Sequence, residues 1–308
     1  MWGSLDMYSE QRTSMSHRHR DGQSTGVLVL YSEPEALIQR LRNAYDHPSI
    51  IIWRSCELVA LHRLLRTLEL SGPVLDLGCG DGSVAASLFR EIDVGLDFER
   101  PSLERALSLS PFSACVQGDA RAMPFKSQSF GVVFSNSVIE HIPGLGNVLA
   151  ESSRILRDDG HLLVTTPSVY FAEELPFSRL FHRLGLSSLG VRYGAVRNRR
   201  LYHFNILHSE DWKQRLASND LEVLYLGLCI SGRALLFWDL LAWTVFALRP
   251  LLGAKKAERL AARLVTPRLI TELTDAPVPR GADLVILAKR RRLHSNTRGN
   301  PSEIVPHR

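Results

Sequence analysis

The stretch VLDLGCGDGSVA, Val74 to Ala85, constrains the fold more than any other part of this sequence. An apolar run with one acidic residue leads into glycines at alternate positions, Gly78, Gly80 and Gly82, and a helical segment follows. Glycines let a ligand approach the backbone, and the start of a helix supplies free N–H groups. The stretch therefore predicts a strand, a ligand-binding turn and a helix.

The segments that follow alternate between short apolar runs and helical patterns. Strands that are nearly continuously apolar are typical of a parallel sheet covered on both faces. We predict an α/β fold with a Rossmann-like, doubly wound, mostly parallel sheet of seven strands and an antiparallel last strand. N-terminal helices and two insertions complete this prediction. The predicted strands are VLDLG, VGLDF, SACVQGD, FGVVFSN, HLLVTTP, LEVLYLGLCI and ADLVILAKR.

The chain divides by pattern into a core, a helical cap, two insertions and two polar tails. In open parallel sheets, ligands bind at the carboxyl ends of the strands, so the first insertion is expected to cover the ligand edge. The predicted boundaries are a disordered tail at 1–25, a helical cap at 26–72, the ligand-binding core at 73–167, a lid or substrate insertion at 168–208, core again at 209–232, an apolar and basic helical insertion at 233–280, the last strand at 281–291 and a disordered basic tail at 292–308.

Composition excludes several classes of function. Lys and Arg number 37 and Asp and Glu 32, so the net charge of 37 − 32 = +5 is mild, and no nucleic-acid partner is expected. The four cysteines are widely spaced without a CxxC, which predicts neither a metal site nor disulfides and fits a reducing cytoplasm. The N-terminus has no apolar core behind its charges, so no signal peptide is expected.

The glycine spacing also bears on the ligand. A dinucleotide fingerprint, G-x-G-x-x-G, requires glycine at position 83, where this chain has Ser83. The carboxylate of Asp76, inside the predicted strand, offers nothing to an anionic pyrophosphate. A ligand that carries an ammonium and a sulfonium would gain from it.

These motifs resemble those of the class I S-adenosylmethionine-dependent methyltransferases, in particular the kind called methyltransferase type 11. The resemblance covers residues 74–167 in the family's order. Where the family usually has FD before its fourth strand, this chain has FG at Phe130-Gly131. The matching motifs are VLDLGCGDG, VGLDFE, GDARAMPFKSQSFGVVFSNSVIEHI and ESSRILRDDGHLLVTTP.

The resemblance implies S-adenosylmethionine as methyl donor and a set of residues that bind it. Asp97 is placed like the acidic residue that binds the ribose hydroxyls, and one helix plus one strand separate it from Asp76. Asp119, or the backbone of Ala120, would meet the adenine amino group. The whole predicted set is Asp76, Gly78, Cys79, Gly80, Asp97, Phe98, Asp119, Ala120, Ser135 and Asn136.

Methyl transfer needs a general base only if the acceptor carries a proton of high pKa. Three histidines are candidates: His203, His141 and His208. His203 is favoured, because it follows the Arg-rich stretch VRNRR in the expected lid. Arg54 and Glu57 either reach the methionine part of the ligand or form a surface salt bridge, and the salt bridge is favoured.

The second insertion opens with an apolar segment, Ala234 to Leu248, followed by a basic amphipathic one. Fifteen helical residues span about 22 Å, short of the ~30 Å core of a bilayer, so a transmembrane helix is disfavoured. Residues 234–263 either contact a membrane surface, with Trp238 and Trp243 at headgroup level, or are buried in the domain or a homodimer interface.

Together these observations predict a cytoplasmic S-adenosylmethionine-dependent methyltransferase. Its acceptor is expected to be a small molecule or, if the chain contacts membranes, a lipid-like or lipid-linked one. Two alternatives remain at this stage: an NAD-type oxidoreductase, and a module that binds S-adenosylmethionine without turnover.

Overall fold

A computed structural model describes residue 30 and residues 34–109, 111–275 and 278–292. The predicted tail at 1–25 and nearly all of the one at 292–308 lie outside these residues. The helices are α1 Pro34–Ala44, α2 Pro48–Leu65, α3 Ser83–Leu88, α4 Arg100–Leu109, α5 Leu145–Ile155, α6 Tyr170–Glu174, α7 Pro176–Arg183, α8 Ser187–Arg200, α9 Ser209–Ala217, α10 Gly232–Leu252, α11 Ala254–Ala262 and α12 Pro267–Thr274, with a 3-10 turn at Ile139–His141.

Seven strands form one sheet in the order β3-β2-β1-β4-β5-β7-β6. The last strand, β7, lies antiparallel between its two neighbours, and the pairs among β1 to β5 are parallel. The predicted fold class is therefore confirmed. The strands are β1 Val74–Leu77, β2 Ile92–Asp97, β3 Phe112–Gln117, β4 Phe130–Asn136, β5 Leu156–Pro167, β6 Leu221–Cys229 and β7 Asp283–Arg290.

Helices cover both faces of this sheet, as the apolar strands require. All four residues of β1 and all seven of β4 are buried. One face packs against α1, α2 and the helices of the second insertion, and the other packs against α5 and α9. Because β1 and β4 are parallel neighbours in the sheet, their carboxyl ends meet at one edge, next to the glycine turn.

One boundary inside the core differs from the prediction. The sequence predicts that the helix of α5 runs to Gly160, but it ends at Ile155 and β5 begins at Leu156. Leu156 has an extended backbone and pairs with Phe130 of β4, and the ladder shifts register between Phe130 and Val132. Strand pairing has therefore overridden a local helical pattern.

Both insertions are helical. The first contains α6, α7 and α8, and the second contains α10, α11 and α12. The expected length of the apolar helix is wrong: α10 has 21 residues, or about 31 Å, because it continues through the exposed Arg249 to Leu252. Among the described helices, only α10 is long and apolar enough to cross a membrane by length and composition.

Candidate active site

The glycine turn follows β1 as predicted. Gly78 has φ +75°, and a Cβ at this position would lie 2.3 Å from Cγ1 of Val138. The backbone N–H groups of Gly78 and Cys79 both donate to the carbonyl of Leu96, at 2.7 and 3.0 Å. The turn thus lies against the ends of β2 and β4, where only glycine fits at position 78.

Asp97 ends β2 and is held by the backbone on both sides. Its Oδ2 accepts from the N–H of Gly80 at 2.8 Å, and its Oδ1 accepts from the N–H of Glu99 at 2.8 Å. Each carboxylate oxygen keeps acceptor capacity for a further donor. A Cβ on Gly80 would have no heavy atom within 4 Å, so open space adjoins this carboxylate. A vicinal diol fits here.

A cavity of about 390 Å³ opens at this edge of the sheet. Five of the ten predicted residues line it, and the apolar side chains of Leu96 and Ile142 add walls that suit an adenine ring. The lining residues are Leu77, Gly78, Leu96, Asp97, Phe98, Gly118, Asp119, Ala120, Arg121, Ser137, Val138, His141, Ile142 and Pro143.

At the far wall of the cavity, the carboxylate of Asp119 is paired with Arg121. The guanidinium donates to both carboxylate oxygens, and the shortest contact is 2.7 Å from Nη2 to Oδ2. Hydrogen bonds from Arg121 lower the pKa of Asp119. Sequence reasoning missed Arg121, although it lies two residues after Asp119 in the same motif. Because the Asp119 carboxylate is already paired with Arg121, the backbone of Ala120 is better placed than that carboxylate to bind an adenine amino group.

Ser135 and Asn136 lie beneath this cavity. The Ser135 hydroxyl donates to the carbonyl of Leu77 at 3.0 Å, which ties β4 to β1. Oδ1 of Asn136 accepts from Nη1 of Arg54 at 2.7 Å, and its Nδ2 donates to Oγ1 of Thr165 at 2.5 Å. Both side chains are buried and lie outside the cavity lining. Within the described structure they support the sheet edge, and the prediction that they touch a ligand stays a prediction.

Asp76 and Cys79 are also buried outside the cavity lining. Burial, aided by the nearby Asp97 carboxylate, raises the pKa of Asp76 to about 8. Burial likewise raises the pKa of the Cys79 thiol. With a pKa of about 8, the Asp76 side chain is largely protonated at neutral pH. The argument from the sequence had treated this side chain as an ionised carboxylate.

Arg54 and Glu57 form a salt bridge, but it is not on the surface. Nη1 of Arg54 lies 2.8 Å from Oε2 of Glu57, whose side chain is fully buried. Oε1 of Glu57 accepts from Ser137 at 2.5 Å and from Thr165 at 2.8 Å. The expected surface pair is therefore wrong. The pair anchors α2 to β5 through the hydroxyl of Thr165, and to the end of β4 through the amide of Asn136 and the hydroxyl of Ser137 directly after it.

Two of the three histidine candidates come together beside the cavity. The rings of His141 and His203 have centroids 5.4 Å apart, and Nε2 of His141 lies 3.6 Å from Oε1 of Glu140. Burial lowers the pKa of His141, and it lowers that of His203 to about 4. Burial also raises the pKa of Glu140 to about 8. His208 is exposed at the start of α9 and has no place in this cluster.

Sequence reasoning missed Glu140. The signal was present, since Glu140 directly precedes His141 in the motif IEHI at the end of β4. An acidic residue after a buried strand of a parallel sheet lies at the ligand edge, so this position could have been added from pattern alone.

A sequence model of the methyltransferase-domain family matches residues 75–164 of this chain. This segment contains the glycine turn, Asp97, Asp119 and the Glu140–His141 pair. Residues 75–164 are a class I methyltransferase domain. The motif resemblance is thereby confirmed. The elements that lie outside this domain are α1, α2, the two helical insertions, α9, β6 and β7.

Relatives of this methyltransferase domain include enzymes with different acceptors. A phthiotriol/phenolphthiotriol dimycocerosates methyltransferase 1 of Mycobacterium ulcerans is 38% identical over 36% of this chain and 45% of its own length. A malonyl-[acyl-carrier protein] O-methyltransferase of Legionella pneumophila is 35% identical over 30% and 35%. A demethylmenaquinone methyltransferase of Lactococcus lactis is 28% identical over 49% and 67%. The chain thus spans less than half of the first two relatives.

Proposed function

We propose that this chain transfers the methyl group of S-adenosylmethionine to an acceptor held beneath the first insertion. The observation that carries the proposal is the bare glycine turn joined to Asp97 at an open cavity within the methyltransferase domain. The sulfonium of the bound donor supplies a methyl group that is already activated. The protein therefore has to align the two partners and exclude water.

The residues present suit each part of such a donor. Asp97 would accept hydrogen bonds from the ribose hydroxyls, and the backbone of Ala120 would accept from the adenine amino group. Phe98, whose side chain is 73% exposed, is available to cover the adenine. The turn at Gly78 offers bare backbone to the methionine part. An NAD-type oxidoreductase finds no support in the family match, and turnover separates an enzyme from a binding module.

Calorimetry tests the choice of cofactor. Wild-type protein is expected to bind S-adenosylmethionine and not NADH, and Asp97→Ala is expected to lose about 10- to 100-fold in affinity because two charge-assisted hydrogen bonds disappear. The control for removing an aspartate is Asp158→Ala, because Asp158 is exposed. Asp93→Ala would not serve as this control, because Asp93 accepts a hydrogen bond from the N–H of Val74 in β1. Binding of NADH alone would overturn the proposal.

For the acceptor we propose a lipid-like molecule. The acceptor in the name of the Mycobacterium ulcerans relative, phthiotriol dimycocerosate, is of this kind. The structure adds an exposed apolar face formed by α7 and α10, where the rings of Phe177 and Trp243 lie 6.4 Å apart. Trp243 is 49% exposed and Phe246 68%. An exposed apolar patch of this kind is typical of a lipid or protein contact.

Basic residues next to this face favour an anionic membrane surface over a second copy of the chain. Lys255, Lys256 and Arg263 are exposed on and just after α11, which directly follows α10. Arg259 is exposed too, and it pairs with Asp46 at 3.2 Å. A cationic segment beside exposed aromatic rings fits anionic headgroups, whereas two cationic copies would repel each other. We place the protein in the cytoplasm, at a membrane surface.

Trp238 does not belong to the proposed membrane face. Its ring lies 6.1 Å from that of Trp53 and 6.2 Å from that of Phe171, with the Arg197 guanidinium 4.9 Å from its centroid. Its backbone carbonyl accepts from Ser49 of α2 at 2.8 Å. The expectation that Trp238 lies at headgroup level beside Trp243 is therefore wrong, because the two side chains leave α10 in different directions.

Co-sedimentation with vesicles tests the membrane contact. Wild type is expected to bind vesicles that contain anionic lipid, more weakly at high salt, and Trp243→Ser/Phe246→Ser is expected to lose most of this binding. Leu107→Ser is the matched control, since Leu107 is an exposed leucine of α4 beside β2 and β3. A wild type that stays in the supernatant and forms dimers instead would assign the face to a homodimer.

A further inference from the structure

Three side chains converge at the edge of the cavity without a role in holding the donor. The ligand-type atoms of Glu140, His141 and His203 all lie within 4.8 Å of one another. Glu140 and His141 belong to the 3-10 turn after β4, and His203 belongs to the loop between α8 and α9. We propose that these three residues bind a divalent transition-metal ion. Two imidazoles and one carboxylate suit Fe²⁺, Co²⁺, Mn²⁺ or Zn²⁺ and leave coordination positions open.

Each of the two imidazoles has an oxygen atom beside its Nδ1, as metal-binding histidines usually have. Nδ1 of His141 lies 3.1 Å from the carbonyl oxygen of Tyr202, and Nδ1 of His203 lies 3.1 Å from Oδ1 of Asn198. The Tyr202 carbonyl can only accept, so Nδ1 of His141 carries the proton and its Nε2, 3.6 Å from Oε1 of Glu140, presents a lone pair. The Asn198 oxygen likewise pairs with the tautomer of His203 that is protonated at Nδ1. A metal-bound histidine characteristically donates its other ring N–H to an oxygen in this way.

The carboxylate of Glu140 supplies a second, independent observation. The residue is 1% exposed, and its Oε2 has no hydrogen-bond partner among the described residues. A buried carboxyl oxygen without a hydrogen-bond partner destabilises the folded protein. A cation held by the Glu140 carboxylate would satisfy this oxygen, and the ligand-type atoms of both histidines lie within 4.8 Å of that carboxylate.

The loop that carries His203 is fixed to the turn that carries Glu140. The N–H groups of Phe204 and Asn205 donate to the carbonyl of Glu140 at 2.8 and 3.2 Å. Nδ2 of Asn205 donates to the carbonyls of Ile139 and Ile142 at 2.7 and 2.8 Å. The three ligands are therefore held together before any ion arrives, which lowers the cost of ordering them.

The charges around the cluster allow a dication. Arg54 is the nearby cation whose field reaches both Glu140 and His141, and its guanidinium is neutralised by Glu57 at 2.8 Å. The buried acids Glu57 and Asp283 also act on this region. Because His141 lines the donor cavity, an ion here would adjoin it, and an acceptor hydroxyl could take an open position. This last role rests on the proposed function, whereas metal binding does not.

Cobalt binding tests the site directly, with Co²⁺ alone as the probe. The protein is used as the full chain without an affinity tag, in a His17→Ala/His19→Ala background that removes the imidazoles of the HRHR segment. We expect one Co²⁺ per chain with a visible d–d spectrum. Two exchangeable, paramagnetically shifted ring N–H resonances are also expected, one for each bound imidazole.

Variants assign the ligands. His141→Ala/His203→Ala is expected to weaken Co²⁺ binding by about 100-fold or more, and Glu140→Gln by at least about 10-fold. His182→Ala in α7, an exposed histidine, should bind as the background does. Calorimetry with S-adenosylmethionine on the same samples shows separately whether the donor site is intact.

Three outcomes would overturn the proposal: no Co²⁺ bound by the folded background protein, fewer than two shifted ring N–H resonances, or unchanged affinity in the folded double variant. The Co²⁺ stoichiometry and the ring N–H resonances of the background protein test the metal site even if a ligand variant fails to fold. If the protein binds S-adenosylmethionine but no Co²⁺, the metal site is refuted and the proposed function stands. If it binds Co²⁺ but no S-adenosylmethionine, the proposed function is refuted and the metal site stands.

Discussion

At the scale of single residues, two glycines of the same turn are required for different reasons. Gly78 combines φ +75° with a Cβ position 2.3 Å from Val138, whereas Gly80 combines φ +53° with open space. We expect Gly80→Ala to cost about 1 kcal/mol of backbone strain, and Gly78→Ala to cost about 2 to 5 kcal/mol because overpacking is added. Denaturant unfolding of both variants measures the difference.

Val138, the side chain that lies against Gly78, provides the matched control for the two glycine variants. Gly78→Ala/Val138→Ala removes the two Val138 methyl groups at 2.3 and 2.7 Å and should recover part of the loss. If Gly80→Ala is as destabilised as Gly78→Ala, packing against Val138 is not the reason for the glycine at position 78.

Asp76 gives a prediction for pH. Its pKa is raised to about 8, so between the ordinary value of about 3.9 and about 8 the folded chain holds a proton that the unfolded chain has lost. The contribution of Asp76 to the free energy of unfolding therefore falls as pH rises through this window. Asp76→Asn, which cannot titrate, should gain roughly 1 to 4 kcal/mol relative to wild type between pH 5 and pH 8.

Urea unfolding at several pH values measures this effect, with the exposed Asp158→Asn as the control. A difference between Asp76→Asn and wild type that does not vary with pH would mean that Asp76 is ionised in the folded protein.

At the scale of elements, the loop between α8 and α9 depends on Asn205. Besides the backbone hydrogen bonds of this loop to Glu140, the Asn205 side-chain amide donates to the carbonyl of Ile139 at 2.7 Å and to that of Ile142 at 2.8 Å. Tyr202 in the same loop has φ +56°, a strained conformation that its surroundings must hold in place. We expect Asn205→Ala to lower the free energy of unfolding by about 1 to 3 kcal/mol and to speed amide exchange in residues 201–207.

Hydrogen exchange read by peptide separates this from a general loss of stability. Asn219→Ala, which removes a side-chain amide bond at the end of α9, serves as the control and should leave exchange in 201–207 unchanged. If Asn205→Ala leaves that exchange unchanged as well, the amide does not hold the loop.

The elements differ in how far the sequence predicted them. Strands with continuous apolar runs, such as β4, were predicted with their correct bounds, because burial on both faces leaves a clear signature. The helices α6 to α8 were not predicted, since their composition is rich in Arg, Gly and aromatic residues and their faces pack against several neighbours. Of these three helices, α7 is strongly amphipathic, whereas α6 is too short and α8 too polar to show a clear apolar stripe.

At the scale of the whole molecule, β7, the last strand in the sequence, lies inside the sheet between β5 and β6. β7 pairs with β5 and β6, and seven of its eight residues are buried. Truncation after Gly281 should therefore prevent folding, because it leaves β6 without a neighbour and exposes both flanking ladders.

Truncation after Arg292 is the control, since it retains every residue of β7. Circular dichroism and gel filtration should show a folded chain for the longer product and an unfolded or aggregated chain for the shorter one. A folded product ending at Gly281 would show that the other six strands suffice.

The sequence by itself determined the fold class, because apolar strands alternate with helical patterns along the chain. It also determined the glycine turn and the position of Asp97, which depend on local patterns within residues 74–97. Only the tertiary structure decided which side chains share a site. It separated Trp238 from Trp243, buried the Arg54–Glu57 pair, and brought His203 to Glu140 and His141 from a distant loop. The sequence predicted no metal site because its ligands lie in two segments without a characteristic spacing. Proximity across the chain comes from packing, which local periodicity does not encode.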